Sequence, residues 1–294
     1  MEAHHHHHDS LSTLLQRRSL VKLLAGTGIA ALLGCSSDSS ASPGTASGTD
    51  PPSTDTASTN ASATSSGATA TESVTAPTDL ASCEAIPAET GGPFPGDGTN
   101  GPNLLTESGV VRSDIRTSIG SASGTAAGVP LTLRLTIIAA NADSAAGCAP
   151  RAGAGVHVWH ATADGRYSMY SDGVSDENFL RGVQESAADG TVTFETIYTG
   201  CYDGRWPHIH FEVFSDLASA TNGGNAIATS QLAFPRETCE VVYAAEGYES
   251  SVGNLERVWL ESDNVFGDDG TGQQLATMSG DNATGWTARL TVAV

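Results

Sequence analysis

Tyr202-Asp203-Gly204-Arg205-Trp206-Pro207-His208-Ile209-His210-Phe211-Glu212-Val213-Phe214 is the stretch on which the fold turns. Phe211, Val213 and Phe214 favour a β-strand over residues 208–214. Side chains on a strand alternate between faces, so His208 and His210 point the same way. One phenol, Tyr202, stands six residues before His208, and a second, Tyr167, lies in Asp164-Gly165-Arg166-Tyr167-Ser168. Two phenolates and two imidazoles make a hard, anionic nitrogen–oxygen ligand set. That set suits ferric iron far better than zinc, which favours thiolate and imidazole.

Outward from this strand the chain keeps the same period. Residues 129–138 alternate apolar and polar over their middle, 155–160 do the same, and 191–197 follow the turn pair Asp189-Gly190. Trp286 to Val294 reads as the last strand, and only Glu237–Tyr248 has a helical pattern. Glycines and aspartates separate the runs at loop-like intervals. The expected fold is all-β, a β-sandwich with long functional loops.

The formal charge is −20, and removing residues 1–34 leaves 10 basic and 31 acidic side chains. Such an acidic chain is a poor partner for nucleic acid or an anionic membrane. Lys22 is its only lysine, so every cation beyond residue 34 is an arginine. Residues 17–35 hold Arg17-Arg18, then Leu20 and Lys22, an apolar run too short to span a bilayer comfortably, and Leu32-Leu33-Gly34-Cys35. This resembles a twin-arginine export signal ending in a lipobox, with Cys35 as the lipidated residue; a plain signal peptide is the alternative. The His4–His8 run is metal-chelating or an added tag, and it stands apart from the site. Residues 35–79 are almost wholly Ser, Thr, Ala, Gly, Asp and Pro, the composition of a disordered tether. Residues 80–294 are then the folded domain. Membrane contact is expected only through the lipid anchor, and the oligomeric state is open.

Cys83, Cys148, Cys201 and Cys239 make an even count in an exported protein, which points to two disulfides with three possible pairings. A bridge at Cys201 would brace the neighbouring Tyr202. A cysteine zinc site would need close paired spacings that these four lack.

Residues 154–214 resemble the intradiol ring-cleavage dioxygenases, the non-haem ferric enzymes that open catechol-type rings. The stretches carrying the resemblance are Gly155-Val156-His157-Val158-Trp159-His160-Ala161, Asp164 to Ser168, Phe179-Leu180-Arg181-Gly182, Asp189 to Ile197, Thr199-Gly200-Cys201-Tyr202 and Arg205 to Phe211. It extends to Gly92-Pro93-Phe94 upstream and Ser230-Gln231-Leu232-Ala233-Phe234 downstream. The resemblance implies that Tyr167, Tyr202, His208 and His210 bind Fe(III). It makes Arg205 the group that stabilises developing negative charge and Gln231 a supporting residue near the active site. It further implies that a catechol-type diol displaces Tyr202, which takes a proton while Tyr167 stays. O2 then attacks the ring, and the bond between its oxygen-bearing carbons breaks to give a muconate-type dicarboxylate.

Two departures stand out. Only five residues separate Tyr202 from His208, shorter than the family's usual connection, and Trp206 stands where a proline commonly follows the arginine. Both imply a more open pocket for bulkier diols, with Trp206 and Phe94 as its walls. Tyr170, Tyr198, Tyr243 and Tyr248 read as packing or rim residues, with Tyr198 the decoy for Tyr202. His157 and His160 lie an odd distance apart and face opposite sides of a strand, so they are not expected as ligands. Trp159 and Trp259 read as core, and Arg181 as a loop anchor. The rival functions are a non-catalytic surface lipoprotein that binds a metal or ligand on the same fold, and a zinc or copper site doing other chemistry.

Overall fold

The strands form where apolar residues alternate. In β1 (Pro130–Ile138) the side chains of Leu131, Leu133, Leu135 and Ile137 are buried, while Pro130 and Arg134 face water. The computed structural model describes residues 83–140, 148–267 and 272–294, all within the unit Thr71–Val294. The expected signal, Cys35 and the Ser/Thr tether lie outside the described residues.

One four-stranded sheet has β1 between β4 (Thr191–Ile197), antiparallel, and β8 (Gly285–Ala293), parallel; β7 (Thr277–Asp281) pairs with the far edge of β8. The other is antiparallel throughout, in the order β3 (Arg181–Glu185), β2 (Gly155–Trp159), β5 (His208–Phe214) and β6 (Ala228–Ala233). Leu133, Leu135, Phe194 and Val292 of the first sheet share a core with Val156, Val158, Ile209 and Phe211 of the second. Each of these buried side chains contributes about 1.5–3 kcal/mol. A smaller cluster, with Leu104, Leu105 and Val110 against Val183 and Phe214, covers the other face of the second sheet. Strand β5 is therefore buried on both faces. One face carries Ile209, Phe211 and Val213 into the main core, and the other carries His208 and His210.

The all-β expectation is overturned. The described residues are 11% helix and 30% strand, with three helices, so the class is mixed α/β and not a pure β-sandwich. Helix α1 (Leu217–Thr221) starts at Asp216, whose carboxylate accepts from the Ser219 N–H at 2.7 Å. The helix expected over Glu237–Tyr248 is cut short at Val242, and a separate helix follows beyond Tyr248. Helix α2 (Arg236–Val242) ends before Gly247, whose φ of 90° no helix tolerates, and α3 (Glu249–Leu255) begins beyond it.

Three further expectations are corrected. Cys83 and Cys148 form a disulfide with their Cα atoms 5.4 Å apart, whereas Cys201 and Cys239 are free and buried, so the second bridge is absent. The Tyr198 hydroxyl contacts Cys239 Sγ at 3.3 Å, and Cys201 Sγ faces the Arg205 carbonyl at 3.5 Å. Burial pushes both thiols up to about 12, which leaves them protonated and unreactive at neutral pH. Trp259 is not core: Val258 turns inward, and the extended backbone at Trp259 sends its ring outward, 56% exposed. Trp206 is not a pocket wall, because its ring is buried with its indole N–H donating to the Phe234 carbonyl. Among the described residues no helix is long and apolar enough to cross a membrane.

Candidate metal centre

Strand register sets out the site. Arg181, Trp159, His210 and Gln231 stand side by side across β3, β2, β5 and β6. The His210 ring stacks on Trp159, with centroids 4.9 Å apart and planes 5° from parallel. His208, two residues earlier on the same face, brings its Nε2 to 3.1 Å from that of His210. The Tyr202 hydroxyl lies 3.2 Å and the Tyr167 hydroxyl 3.5 Å from the same His208 nitrogen. Donors bound to one ion at about 2.1 Å, with angles of 90–110°, stand about 3.0–3.4 Å apart. The His210 and Tyr202 separations from His208 fall in that range, and the Tyr167 separation lies just beyond it. Among the described residues no group of three or more His, Cys, Asp or Glu could hold a metal, so any ion here depends on the phenols.

The protonation states fit a cation. His208 Nδ1 lies 2.5 Å from the Trp206 carbonyl, which can only accept, so Nδ1 carries the hydrogen and the Nε2 lone pair faces the cluster. Burial and the charge of Arg205 lower His208 to about 3, and burial and His208 hold His210 well below its ordinary value. Both imidazoles are neutral at pH 7. Burial raises the phenols: Tyr167 lies well above its usual value, further lifted by Tyr202, and Tyr202 is raised against the opposing charge of Arg205. Such phenols ionise only beside a strong positive charge.

Loops that carry the tyrosines are clamped by α3. Ser251 Oγ donates to the Ala163 carbonyl at 2.8 Å and accepts from the Cys201 N–H at 2.9 Å; Asn254 Nδ2 donates to the Cys201 carbonyl at 2.7 Å. These bonds do what the expected Cys201 bridge would have done. Gly165, at φ 86°, brings the two loops together, since a Cβ there would stand 3.0 Å from the Tyr202 Cβ. Arg181 is buried and donates to the carbonyls of Phe94 (2.7 Å), Pro95 (3.0 Å) and Ser168 (2.8 Å) and to Ser168 Oγ (3.1 Å). It thus ties the Tyr167 turn to a strap over 90–96. The strap crosses His210 at Gly92, where a Cβ would stand 3.3 Å from the ring.

Arg205 completes the constellation. Its Nε donates to Asp263 Oδ2 at 3.0 Å and its Nη2 to Gln231 Oε1 at 2.7 Å, while Gln231 Nε2 donates to the Thr90 carbonyl at 2.8 Å. Phe94 lies 5.1 Å from Tyr167 and 5.0 Å from Tyr170, giving an aromatic rim. Tyr198 points elsewhere, its hydroxyl 2.9 Å from Thr238 Oγ1, and Tyr243 and Tyr248 pack beside it. His157 Nδ1 meets Glu212 at 3.3 Å, and His160 bridges the Ala161 carbonyl and Thr196 Oγ1. Sequence reasoning missed Asp263, Phe266 and α3, because no spacing marks them. A separate recess of about 410 Å³, lined by residues including Asp114, Arg116 and Ile197, shares no residue with the cluster.

No family model matches the chain. A chlorocatechol 1,2-dioxygenase of Rhodococcus opacus is 33% identical over 86 residues, covering 23% of this chain and 34% of that protein. The chain therefore spans about a third of the length of that curated relative. Among solved structures, an intradiol ring-cleavage dioxygenase of Tetranychus urticae superimposes with a TM-score of 0.56 at 25% identity, covering 72% of this chain and 94% of that one. A second dioxygenase crystal structure matches with a TM-score of 0.55, the same identity and the same coverage.

Proposed function

We infer that the chain belongs to the intradiol ring-cleavage dioxygenases and opens catechol-type aromatic diols with O2 at a non-haem Fe(III) site. The observation that carries this reading is the convergence of Tyr167, Tyr202 and His210 around His208, each donor within 3.5 Å of its Nε2. The four donors fit ferric iron by their chemistry: two phenols that need a strong cation to ionise, and two neutral imidazoles. Ferric iron, held by Tyr167, Tyr202, His208 and His210, would supply Lewis acidity to a bound diol and make its ring reactive toward O2.

The chain's own residues divide the remaining work. Tyr202 is partly exposed and feels the charge of Arg205, so its Oη is the atom that takes a proton from the incoming diol. Tyr167, fully buried, keeps its place. The Arg205 guanidinium, held between Asp263 and Gln231, balances negative charge as it grows on substrate oxygen. Phe94 and Tyr170, their rings tilted 48° to one another, present an aromatic rim that suits an aromatic ring and sheds water. Both atoms of O2 enter the product, and cleavage between the two oxygen-bearing carbons gives a muconate-type dicarboxylate.

The test uses the ferric protein with catechol under 18O2. The expected product is an acyclic dicarboxylate carrying two labelled atoms. An unlabelled product, a semialdehyde, or no oxygen uptake contradicts the reading. We further propose export and lipid anchoring at Cys35, a reading supported by the Arg17-Arg18 and Leu32-Leu33-Gly34-Cys35 motifs and by a disulfide that favours an oxidising compartment. Mass spectrometry of the mature amino terminus checks it; an unmodified Cys35 contradicts it.

A further inference from the structure

We propose that Asp263 is the positioning residue that holds Arg205 in its working orientation for ring cleavage, an inference that rests on the dioxygenase reading of the site. Arginine has a long, rotatable side chain, and ordering it costs rotamer entropy. A guanidinium meant to meet developing charge must be fixed before the reaction starts.

Asp263 has no exposed side-chain surface, and Arg205 is 14% exposed. The carboxylate is fully engaged. Its Oδ2 accepts from Arg205 Nε at 3.0 Å and from the Trp206 N–H at 2.7 Å. Its Oδ1 accepts from the N–H groups of Val265 and Phe266 at 2.9 and 3.3 Å. One buried side chain thus ties the Tyr202–His208 connection to the segment after the 3-10 turn Leu260–Ser262. Gln231 grips the other end of the guanidinium at 2.7 Å, so the fork is fixed at two points. The same carboxylate sets Phe266, whose ring lies 5.9 Å from the Arg205 guanidinium carbon and 6.3 Å from the His208 ring. Burial of an arginine–aspartate pair is a weak contributor to stability. Its geometric use at this place is the better account.

The experiment is a double-mutant cycle on the ferric protein with catechol, using D263N and R205A. D263N is expected to keep iron and visible colour and to lose about 10–100-fold in kcat, the scale of a misplaced group. In the R205A background the same change is expected to cost less than about twofold, because its partner is already gone. An equal loss in both backgrounds overturns the Asp263 role alone. Wild-type turnover by R205A overturns it together with the role given to Arg205. A second readout needs no metal: the Arg205 Nε–H of the metal-free protein should exchange with solvent at least about tenfold faster in D263N, on the view that its acceptor is weakened. Unchanged exchange overturns the proposal. Should D263N fail to fold, D263E keeps the charge and shifts it by one methylene; wild-type kcat in that variant also overturns it.

Discussion

Replacing Arg181 by methionine tests how the strap and the Tyr167 turn are held. Burial lowers this guanidinium to about 10, so it remains charged at pH 7 with carbonyls and a hydroxyl as its hydrogen-bond partners. Four hydrogen bonds from a charged donor contribute about 1.5 kcal/mol each, roughly 6 kcal/mol together. Removing the charge also relieves a burial cost of several kcal/mol. The net loss comes to about 3 kcal/mol, a large part of the 5–15 kcal/mol typical of a domain. With a urea slope of about 2–3 kcal/mol/M, the unfolding midpoint of the metal-free protein should fall by about 1 M or more. Iron should also be lost faster to a chelator, because Ser168 next to Tyr167 and the strap at Phe94 are both released. A midpoint shift below about 0.3 M would refute the reasoning, since the four bonds would then carry almost no net stability.

Y167F and H210A should each lose iron and colour, which metal analysis checks; wild-type iron content in either removes that residue as a ligand. Breaking the Cys83–Cys148 bridge, whose partners are 65 residues apart, should cost about 4 kcal/mol by loop entropy, measured as the denaturation difference between C83S/C148S and the parent. His160 is buried and lowered from 6.5 to about 4, so the unfolded chain binds a proton that the folded one refuses. Its contribution is therefore fully present above pH 6.5 and falls away as pH drops toward about 4, by roughly 3 kcal/mol across that window. H160Q should flatten that part of the stability profile, and an unchanged slope would contradict the assignment.

The sequence made β5 legible because its seven residues announce a strand and its two histidines announce a shared face. The tyrosine pair was legible through motif order. The helices were not, for a physical reason. Helix α1 buries only Ala220, and α3 only Ser251 and Leu255, too few positions to print a helical period. Strand β7 was equally silent, since four of its five residues are exposed and no alternation can show. Asp263 was illegible because its role comes from Arg205, 58 residues away, and only the fold brings the two together. The second disulfide failed for a related reason. Cysteine count says nothing about whether two buried thiols are better served by hydroxyl and carbonyl neighbours.

The central claim is a tyrosinate-ligated ferric site that chelates a diol. Its most direct test is the visible spectrum of the purified ferric protein, before and after catechol is added without oxygen. The account predicts a broad phenolate-to-iron band that shifts when catechol binds and disappears in Y167F. A protein that stays colourless after ferric reconstitution would contradict it and would favour a non-catalytic binding protein on the same fold.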